Sequence, residues 1–324
     1  MATYKEIRGT QIEAVATDPS NPVEGQVWYN TTSNELKGQA ATAAGAWATG
    51  GSLNTARSYL GGAGATKDAA LAFGGGPPPA PTAIAITESY NGSNWTEVND
   101  MNTAKAFTTG AGTYTSAIAA GGDQFSGVAE SWNGTNWTSI GNEPDGSNAY
   151  GGAGADNTNA LFFGGSPVPT TGTATRYWNG SSWAELNNMN TGRAGLNGIG
   201  KTYTAALGAG GGPPPVVALT ESFNGTNWTE VNDLNNSRRF AGSDGTQTSG
   251  LIYGGNAPGY TGDTEEWNGT NWTETTNLGT ARLGLGGAGA DNTNALAFGG
   301  EAPPNTTATE EWTGAGTGQT RTFT

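Results

Sequence analysis

The sequence predicts an all-β protein built from repeats of one hairpin. Residues 221–230, ESFNGTNWTE, place Asn224 and Gly225 between an aromatic residue and a tryptophan. An Asn-Gly pair favours a tight β-turn, because the turn needs positive φ angles and glycine has no Cβ to clash. Near copies of this segment begin at Glu88, Glu130, Arg176 and Glu265. Five copies of one hairpin predict an array of a single supersecondary unit.

The composition agrees with a folded chain rich in strands. The 324 residues include 55 Gly and 15 Pro, but also 11 Trp, 10 Tyr and 9 Phe. Aromatic residues supply the large buried areas that a fold needs, which argues against a disordered Gly-rich chain. The apolar share of 34% suits many short strands joined by polar turns.

Charge and residue usage exclude several classes of function. The net charge of −14 opposes binding to a nucleic-acid backbone or to anionic lipid. The absence of Cys and His removes thiol chemistry, thiolate metal sites and the commonest general base. We therefore expect no cofactor, no metal, no nucleic acid and no membrane insertion. No signal peptide is visible, since the N-terminus has no apolar stretch.

The chain divides by pattern into two parts. Residues 1–37 contain no repeat hairpin and are interpreted as an N-terminal arm or small module for attachment. Residues 38–324 follow a period of roughly 45 residues, each with about four short strands. Units of four strands and this length predict the blades of a β-propeller. Innermost strands then need Gly and Ala near the axis, and an outer Trp fills the widening gap between blades.

Three kinds of residue recur once in most periods. The tryptophans are Trp47, Trp95, Trp137, Trp183, Trp228 and Trp272. The glutamates are Glu88, Glu130, Glu221, Glu265 and Glu310. An N-x-x-R-like segment supplies Arg57, Lys105, Arg193, Arg238 and Arg282, whereas the second repeat reads EPDGSNA and lacks the basic residue. We expect the glutamates to pair with the basic residues in a structural role rather than to act in catalysis.

The order of these features resembles the kelch motif. After each Trp comes M/L-N-x-x-R, then an apolar run ending in GG, then E-x-aromatic, across residues 44–314. The resemblance implies a six-bladed propeller with one four-stranded blade per repeat. It also implies that a terminal strand closes the ring, so residues 310–314 are expected to pair with the segment of Trp47.

The N-terminal part carries a second, shorter resemblance. Residues 18–38, DPSNPVEGQVWYNTTSNELKG, resemble segments at the head of tail-fibre and other structural proteins of marine tailed bacteriophages. This resemblance implies a virion protein, assembled in the host cytoplasm, whose arm contacts other virion proteins. A homo-oligomer is left open.

Two motifs have an alternative chemical interpretation. Residues 195–202, GLNGIGKT, match the phosphate-binding pattern G-x-x-x-x-G-K-[ST]. We expect a β-hairpin there, because the following residues end in the double glycine of a repeat and because the other repeats have no lysine at the position of Lys201. Asp156 and Asp291 lie in two copies of GAGADNTNAL and could bind calcium, but an Asx-type turn explains them more simply.

The loops that follow the double glycines are the candidate recognition surface. They span residues 76–82, 123–127, 166–173, 212–217, 256–262 and 301–306, and in kelch propellers such loops build a binding face. Gln124, Phe125 and Tyr260 are candidate contacts, since amide and aromatic groups suit sugar hydroxyls and sugar faces. The favoured function is a non-enzymatic tail-fibre or head-fibre protein that recognises host glycan. The alternatives are a purely structural or decoration protein and a polysaccharide-active enzyme, and we assign no catalytic residue.

Overall fold

A computed structural model describes residues 12–19, 26–39, 44–76, 82–122, 127–148, 150–167, 172–212, 215–256, 258–315 and 320–323. The regular elements in these residues are β-strands, which form seven four-stranded sheets. None of the described residues belongs to a helix long and apolar enough to cross a membrane. The chain divides into two compact units, Met1–Gly45 with Gly314–Thr324, and Ala46–Thr313.

The smaller unit contains one sheet with strands in the order β1, β2, β3, β28. These are β1 (Glu13–Val15), β2 (Val27–Asn30), β3 (Glu35–Gln39) and β28 (Thr320–Phe323), and only the β1–β2 pairing is parallel. Asp18 accepts hydrogen bonds from Asn30 Nδ2 at 2.7 Å, Trp28 Nε1 at 3.0 Å and Lys37 Nζ at 2.9 Å. These donors lower the pKa of Asp18 to about 2 and tie its loop to two strands of the sheet.

The larger unit contains six sheets, numbered here in chain order. Sheet 1 comprises β5 (Gly61–Thr66), β6 (Ala69–Phe73), β7 (Thr87–Tyr90) and β8 (Trp95–Val98); sheet 2 comprises β9 (Thr109–Thr113), β10 (Ser116–Ala120), β11 (Ala129–Trp132) and β12 (Trp137–Ile140). Sheet 3 comprises β13 (Gly151–Asp156), β14 (Asn159–Phe163), β15 (Thr175–Trp178) and β16 (Trp183–Leu186); sheet 4 comprises β17 (Asn197–Thr202), β18 (Ala205–Ala209), β19 (Thr220–Phe223) and β20 (Trp228–Val231). Sheet 5 comprises β21 (Gly242–Thr246), β22 (Ser249–Tyr253), β23 (Thr264–Trp267) and β24 (Trp272–Thr275); sheet 6 comprises β25 (Gly286–Asp291), β26 (Asn294–Phe298), β27 (Thr309–Thr313) and β4 (Ala46–Thr49).

These six sheets form a closed ring around a channel. The first strands of successive sheets lie side by side, and β25 of sheet 6 returns to β5 of sheet 1. Sheet 6 takes its outer strand from the start of the unit, since β27 pairs with β4 and Trp312 faces Trp47. The expected pairing of residues 310–314 with the segment of Trp47 is therefore observed.

The division of the chain differs from the sequence-based expectation in two ways. Six sheets were expected and seven are described, because the N-terminal segment folds into a sheet of its own. The expected boundary between residues 37 and 38 lies inside β3, and β28 pairs with β3 rather than with the larger unit. A repeat pattern reveals only the repeating sheets, so it could not show that the last strand joins the first part of the chain.

Close contact between the first strands explains their glycines. A Cβ on Gly62 would lie 2.4 Å from the carbonyl oxygen of Gly287, and one on Gly110 would lie 2.2 Å from that of Gly62. Such distances are far below van der Waals contact, so a Cβ on Gly62 or Gly110 would force the neighbouring first strands apart. Ser243 is the exception, and its Oγ donates to the carbonyl of Gly198 at 3.0 Å.

The core lies between neighbouring sheets, and the recurring tryptophans fill it. Trp137 packs edge-on against Phe73 of sheet 1 with ring centroids 4.9 Å apart, and its indole N–H donates to Thr87 Oγ1 at 3.0 Å. Four other tryptophans donate to the matching threonine of the preceding sheet: Trp47 to Thr264, Trp95 to Thr309, Trp228 to Thr175 and Trp272 to Thr220. In sheet 2 this position is Ala129, so Trp183 bonds Gly141 O instead and stays partly exposed.

The recurring glutamates bind the N-x-x-R segments that enter each sheet. Buried Arg57 Nη2 lies 3.1 Å from Glu88 Oε1, while Asn54 donates its backbone and side-chain N–H groups to Glu88 Oε2 at 2.7 and 2.8 Å. The corresponding ion pairs are Lys105–Glu130 at 3.7 Å, Arg193–Glu221 at 2.9 Å, Arg238–Glu265 at 2.6 Å and Arg282–Glu310 at 3.1 Å. One carboxylate thus fixes each connection to the third strand of its sheet.

Sheet 3 contains the same ion pair with its charges exchanged. Arg176 occupies the position of the recurring glutamate, and it pairs with Glu143 and Asp145 in the segment that lacks the basic residue. Arg176 and Glu143 have fully buried side chains. Tyr150 also donates to Glu143 Oε2 at 2.8 Å. Each repeat therefore requires two opposite charges, one on the third strand and one in the segment that enters the sheet. Either position can carry the positive charge.

Candidate functional site

Three aromatic side chains meet at the end of the channel where the first strands begin, which we call the upper face. Tyr59, Phe107 and Phe240 each lie two residues before the first strand of sheet 1, 2 or 5. Their ring centroids are 4.1 Å apart for Tyr59–Phe107, 5.5 Å for Tyr59–Phe240 and 6.1 Å for Phe107–Phe240. All three are partly exposed. We call them the aromatic cluster.

The backbone of the aromatic cluster is in a conformation that bulky residues rarely adopt. The φ angles are 55° at Tyr59, 57° at Phe107 and 53° at Phe240. Sheets 4 and 6 have Gly195 and Gly284 at the same position, with φ of 63° and 61°. Holding a side-chain-bearing residue in this region costs about 1–3 kcal/mol, and such residues concentrate at functional sites.

A chain of backbone hydrogen bonds between sheets holds this conformation in place. Phe107 N donates to Tyr59 O at 2.9 Å, and Tyr59 N donates to Gly284 O at 2.7 Å. The chain continues from Gly284 N to Phe240 O at 2.7 Å and from Phe240 N to Gly195 O at 2.8 Å. The aromatic cluster is therefore a rigid platform, positioned by five of the six sheets. Below it the channel contains a cavity of about 140 Å³.

Polar groups from sheets 5 and 6 lie on the same face. The loops after the double glycines pair with the segments that precede the first strands, as Arg239 with Asn256 and Leu283 with Glu301. Tyr260, 40% exposed, donates its hydroxyl to Glu301 Oε1 at 2.5 Å. The guanidinium carbon of Arg239 lies 5.3 Å from the centre of the Phe240 ring, a cation–π contact.

The hydroxyl of Tyr59 is coupled to these polar groups. Burial, together with the charges of Glu301 and Tyr260, raises the pKa of Tyr59 to about 12. Tyr59 therefore keeps its proton at neutral pH and is available as a donor. Aromatic faces, a carboxylate, an arginine and tyrosine hydroxyls on one surface can bind a sugar, whose C–H face stacks on rings and whose hydroxyls need donors and acceptors.

The structure places only part of the predicted contact set. Tyr260 lies on the upper face as described, whereas Gln124 and Phe125 lie outside the described residues. The recurring tryptophans, glutamates and arginines lie within or between the sheets rather than in the aromatic cluster. None of the three residues of the aromatic cluster was predicted from the sequence. A usable signal existed, since the second residue after each recurring basic residue reads Tyr, Phe, Gly, Phe and Gly.

The two alternative motifs fold as parts of hairpins. Residues 197–202 form β17, with β18 beginning at Ala205, so a strand rather than a helix contains Lys201. Asp156 Oδ1 accepts from Thr158 N at 2.8 Å and Thr158 Oγ1 at 2.6 Å, and Asp291 does the same with Thr293. These are Asx-type turns. In the part of the chain that the structure describes, no group of three or more acidic side chains is placed to hold a metal ion.

Comparison with solved structures identifies the architecture. The solved structure of YjhT, which has a β-propeller-like fold, is similar to this chain. The match has a TM-score of 0.62 and 12% sequence identity, and it covers 80% of this chain and 95% of the YjhT chain. The fold is a β-propeller. At 12% identity the similarity concerns the fold alone. No protein-family model and no curated protein matches the sequence.

Proposed function

We propose that this chain is a non-enzymatic bacteriophage virion protein, in a tail or head fibre, whose propeller binds a host-surface glycan on its upper face. In this proposal the six sheets of the larger unit are kelch-type blades. The smaller unit attaches the propeller to other virion proteins. The observation that carries the proposal is the aromatic cluster, because three strained and partly exposed aromatic residues are unnecessary for closing the ring.

The internal comparison between repeats supports a binding role. Gly195 and Gly284 show that the ring closes with glycine at the cluster position. Aromatic residues there add backbone strain and leave apolar surface exposed, and both effects oppose stability. A ligand that stacks on the rings gives a reason to keep them. The adjoining pair of Tyr260 and Glu301 offers hydrogen bonds to sugar hydroxyls beside the platform.

The upper face favours binding over hydrolysis. The described side chains of the candidate site on this face are the aromatic cluster, Arg239, Tyr260 and Glu301. Glu301 is the one carboxylate among them, and its Oε1 already accepts from Tyr260. Glycoside hydrolases use two carboxylates, one as acid and one as base or nucleophile. Release of reducing sugar from polysaccharide by the purified protein would nevertheless overturn the non-enzymatic assignment.

The test is a glycan array probed with the full-length chain and with Tyr59→Gly and Phe240→Gly variants. Glycine fits the φ angles of these positions, so the variants keep the ring while removing the platform. We expect wild-type binding to a consistent set of glycans and a loss of about five- to tenfold in each variant, as about 1–1.5 kcal/mol of stacking per ring implies. Tyr114→Ala, which removes another exposed tyrosine, is the control and should bind normally.

The structural or decoration alternative makes different predictions. It expects no binding across a broad array, and it expects the glycine variants to assemble into particles as well as the wild type does. Mass spectrometry of purified virions tests the virion assignment itself. If the chain is absent from the particles, the proposal fails whatever the array shows.

A further inference from the structure

Lys201 lies in the channel at a position where the other sheets carry small residues. It is on β17 of sheet 4, and it lines a cavity of about 270 Å³ at the end of the channel away from the aromatic cluster. The other lining residues are Ala65, Gly112, Thr113, Gly154, Ala155 and Ala290. Among them Lys201 is the single charged side chain, so the cavity has an apolar wall and one cationic group.

The ammonium group of Lys201 reaches across the ring. Its Nζ donates to the carbonyl oxygen of Gly64 at 3.1 Å, and Gly64 is on the first strand of sheet 1, opposite sheet 4. Within the described residues this is the one hydrogen bond of the ammonium, which carries three N–H donors. The other two N–H groups have no protein acceptor in the part of the chain that the structure describes. Burial lowers the pKa of Lys201, although its side chain is partly exposed and the charges of Asp244 and Asp291 act in the opposite direction.

The neighbouring acids are engaged elsewhere. Of the acidic groups, Asp244 has the largest influence on the pKa of Lys201, but its carboxyl group is hydrogen-bonded to Tyr253 OH, and burial raises the pKa of Asp244 to about 7. Asp291 accepts two hydrogen bonds from Thr293 in its own turn. The other charged group near Tyr253 is Arg282, which is paired with Glu310. Neither aspartate forms an ion pair with Lys201 in the described part of the chain.

We propose that this lower cavity binds a small organic monocarboxylate, whose oxygens accept the free N–H groups of Lys201 while its alkyl part contacts the alanine methyls. A single ammonium compensates one negative charge, and a dianion would bring excess charge into a protein with a net charge of −14. The methyl groups of Ala65, Ala155 and Ala290 favour a ligand with an apolar end over an inorganic ion. This site is independent of the upper face and of the function proposed for it.

The test is isothermal titration calorimetry, in which propionate, acetate or inorganic phosphate is titrated into the full-length protein. We expect saturable binding of propionate, weaker binding of acetate, and at least a tenfold loss in Lys201→Met. Lys67→Met removes a partly exposed lysine outside this cavity and should leave the affinity unchanged. Affinity for propionate should rise as the pH falls through about 7, because Asp244 then loses its negative charge. Asp244→Asn should remove that dependence.

A second measurement covers the case in which Lys201→Met does not fold. The lysines of the wild-type protein can be labelled biosynthetically with ¹³C and ¹⁵N, which leaves their N–H groups intact, and titrated by NMR; bound propionate should raise the pKa of Lys201 alone. The proposal is overturned if the wild-type protein takes up no carboxylate at millimolar concentration, even where Lys201→Met lowers Tm. That outcome would mean that Lys201 only joins opposite sheets. It is also overturned if phosphate binds as tightly as propionate.

Discussion

The exchanged ion pair of sheet 3 allows a direct test of what each repeat requires. Arg176→Glu would place a third carboxylate beside Glu143 and Asp145, in a site where Arg176 and Glu143 are fully buried. Removing one partner of a buried ion pair costs about 3–5 kcal/mol, and a like charge adds to that loss. For a unit of this size we expect Tm to fall by roughly 10 °C or more. Differential scanning calorimetry and urea unfolding followed by tryptophan fluorescence would measure it.

The compensating experiment rebuilds the ordinary repeat in sheet 3. The triple variant Glu143→Met, Ser147→Arg and Arg176→Glu reproduces the residues that sheet 4 has at the same positions, Met189, Arg193 and Glu221. We expect it to recover at least half of the lost free energy of unfolding, since the two charges again face each other in the opposite order.

The control is Glu185→Gln, an exposed residue on the neighbouring strand directly opposite Arg176. This variant should stay within about 0.5 kcal/mol of wild type. The reasoning is refuted if the single Arg176→Glu variant is within about 1 kcal/mol of wild type. It is equally refuted if the triple variant is no more stable than the single one.

Three further predictions concern stability. Trp137→Phe should lower the free energy of unfolding by about 1–2 kcal/mol, because it removes a buried hydrogen bond. Trp183→Phe should lower it less, because the indole N–H of Trp183 is exposed. Equal losses in urea unfolding would contradict this. Gly110→Ala should lower the free energy of unfolding by about 1–3 kcal/mol or more, because the added Cβ would collide with a carbonyl oxygen. Gly141→Ala places its Cβ in open space and should leave stability unchanged. Similar Tm values for the two variants would contradict this. The pKa of Asp244 is raised from 3.8 to about 7 in the folded protein, so between these values the unfolded chain releases a proton that the folded chain keeps. Wild-type stability should therefore decline as the pH rises from about 4 to 7. Asp244→Asn should flatten this dependence in unfolding measured across the same range.

Much of the propeller is predictable from the sequence because its information is local. Asn-Gly turns, double glycines and recurring tryptophans each act within one hairpin or between adjacent sheets. The double glycines are a clear case, since all six pairs have positive φ angles in the structure. The strand pairing of Trp47 with Trp312 follows from the same repeat pattern, because an incomplete last repeat requires a strand from the start of the ring.

The candidate sites were predictable only in part. Tyr260 was predicted as a contact because it is an aromatic residue in a loop of variable sequence, and the structure places it beside Glu301 on the upper face. The aromatic cluster was missed because Tyr59, Phe107 and Phe240 each look like an ordinary residue at the end of a connection. Their significance appears only when the repeats are aligned and the backbone angles are known.

The sequence by itself determined the repeating unit, its turns and the need for small residues near the axis. Only the tertiary structure decided which side chains from distant repeats meet. Closing the ring brings Phe240 to Tyr59 and carries Lys201 across the channel to Gly64, contacts that no local pattern encodes. The tertiary structure also shows that β28 completes the N-terminal sheet by pairing with β3. The physical reason is that turn and strand preferences act over a few residues, whereas these contacts depend on how six separate sheets pack around one axis.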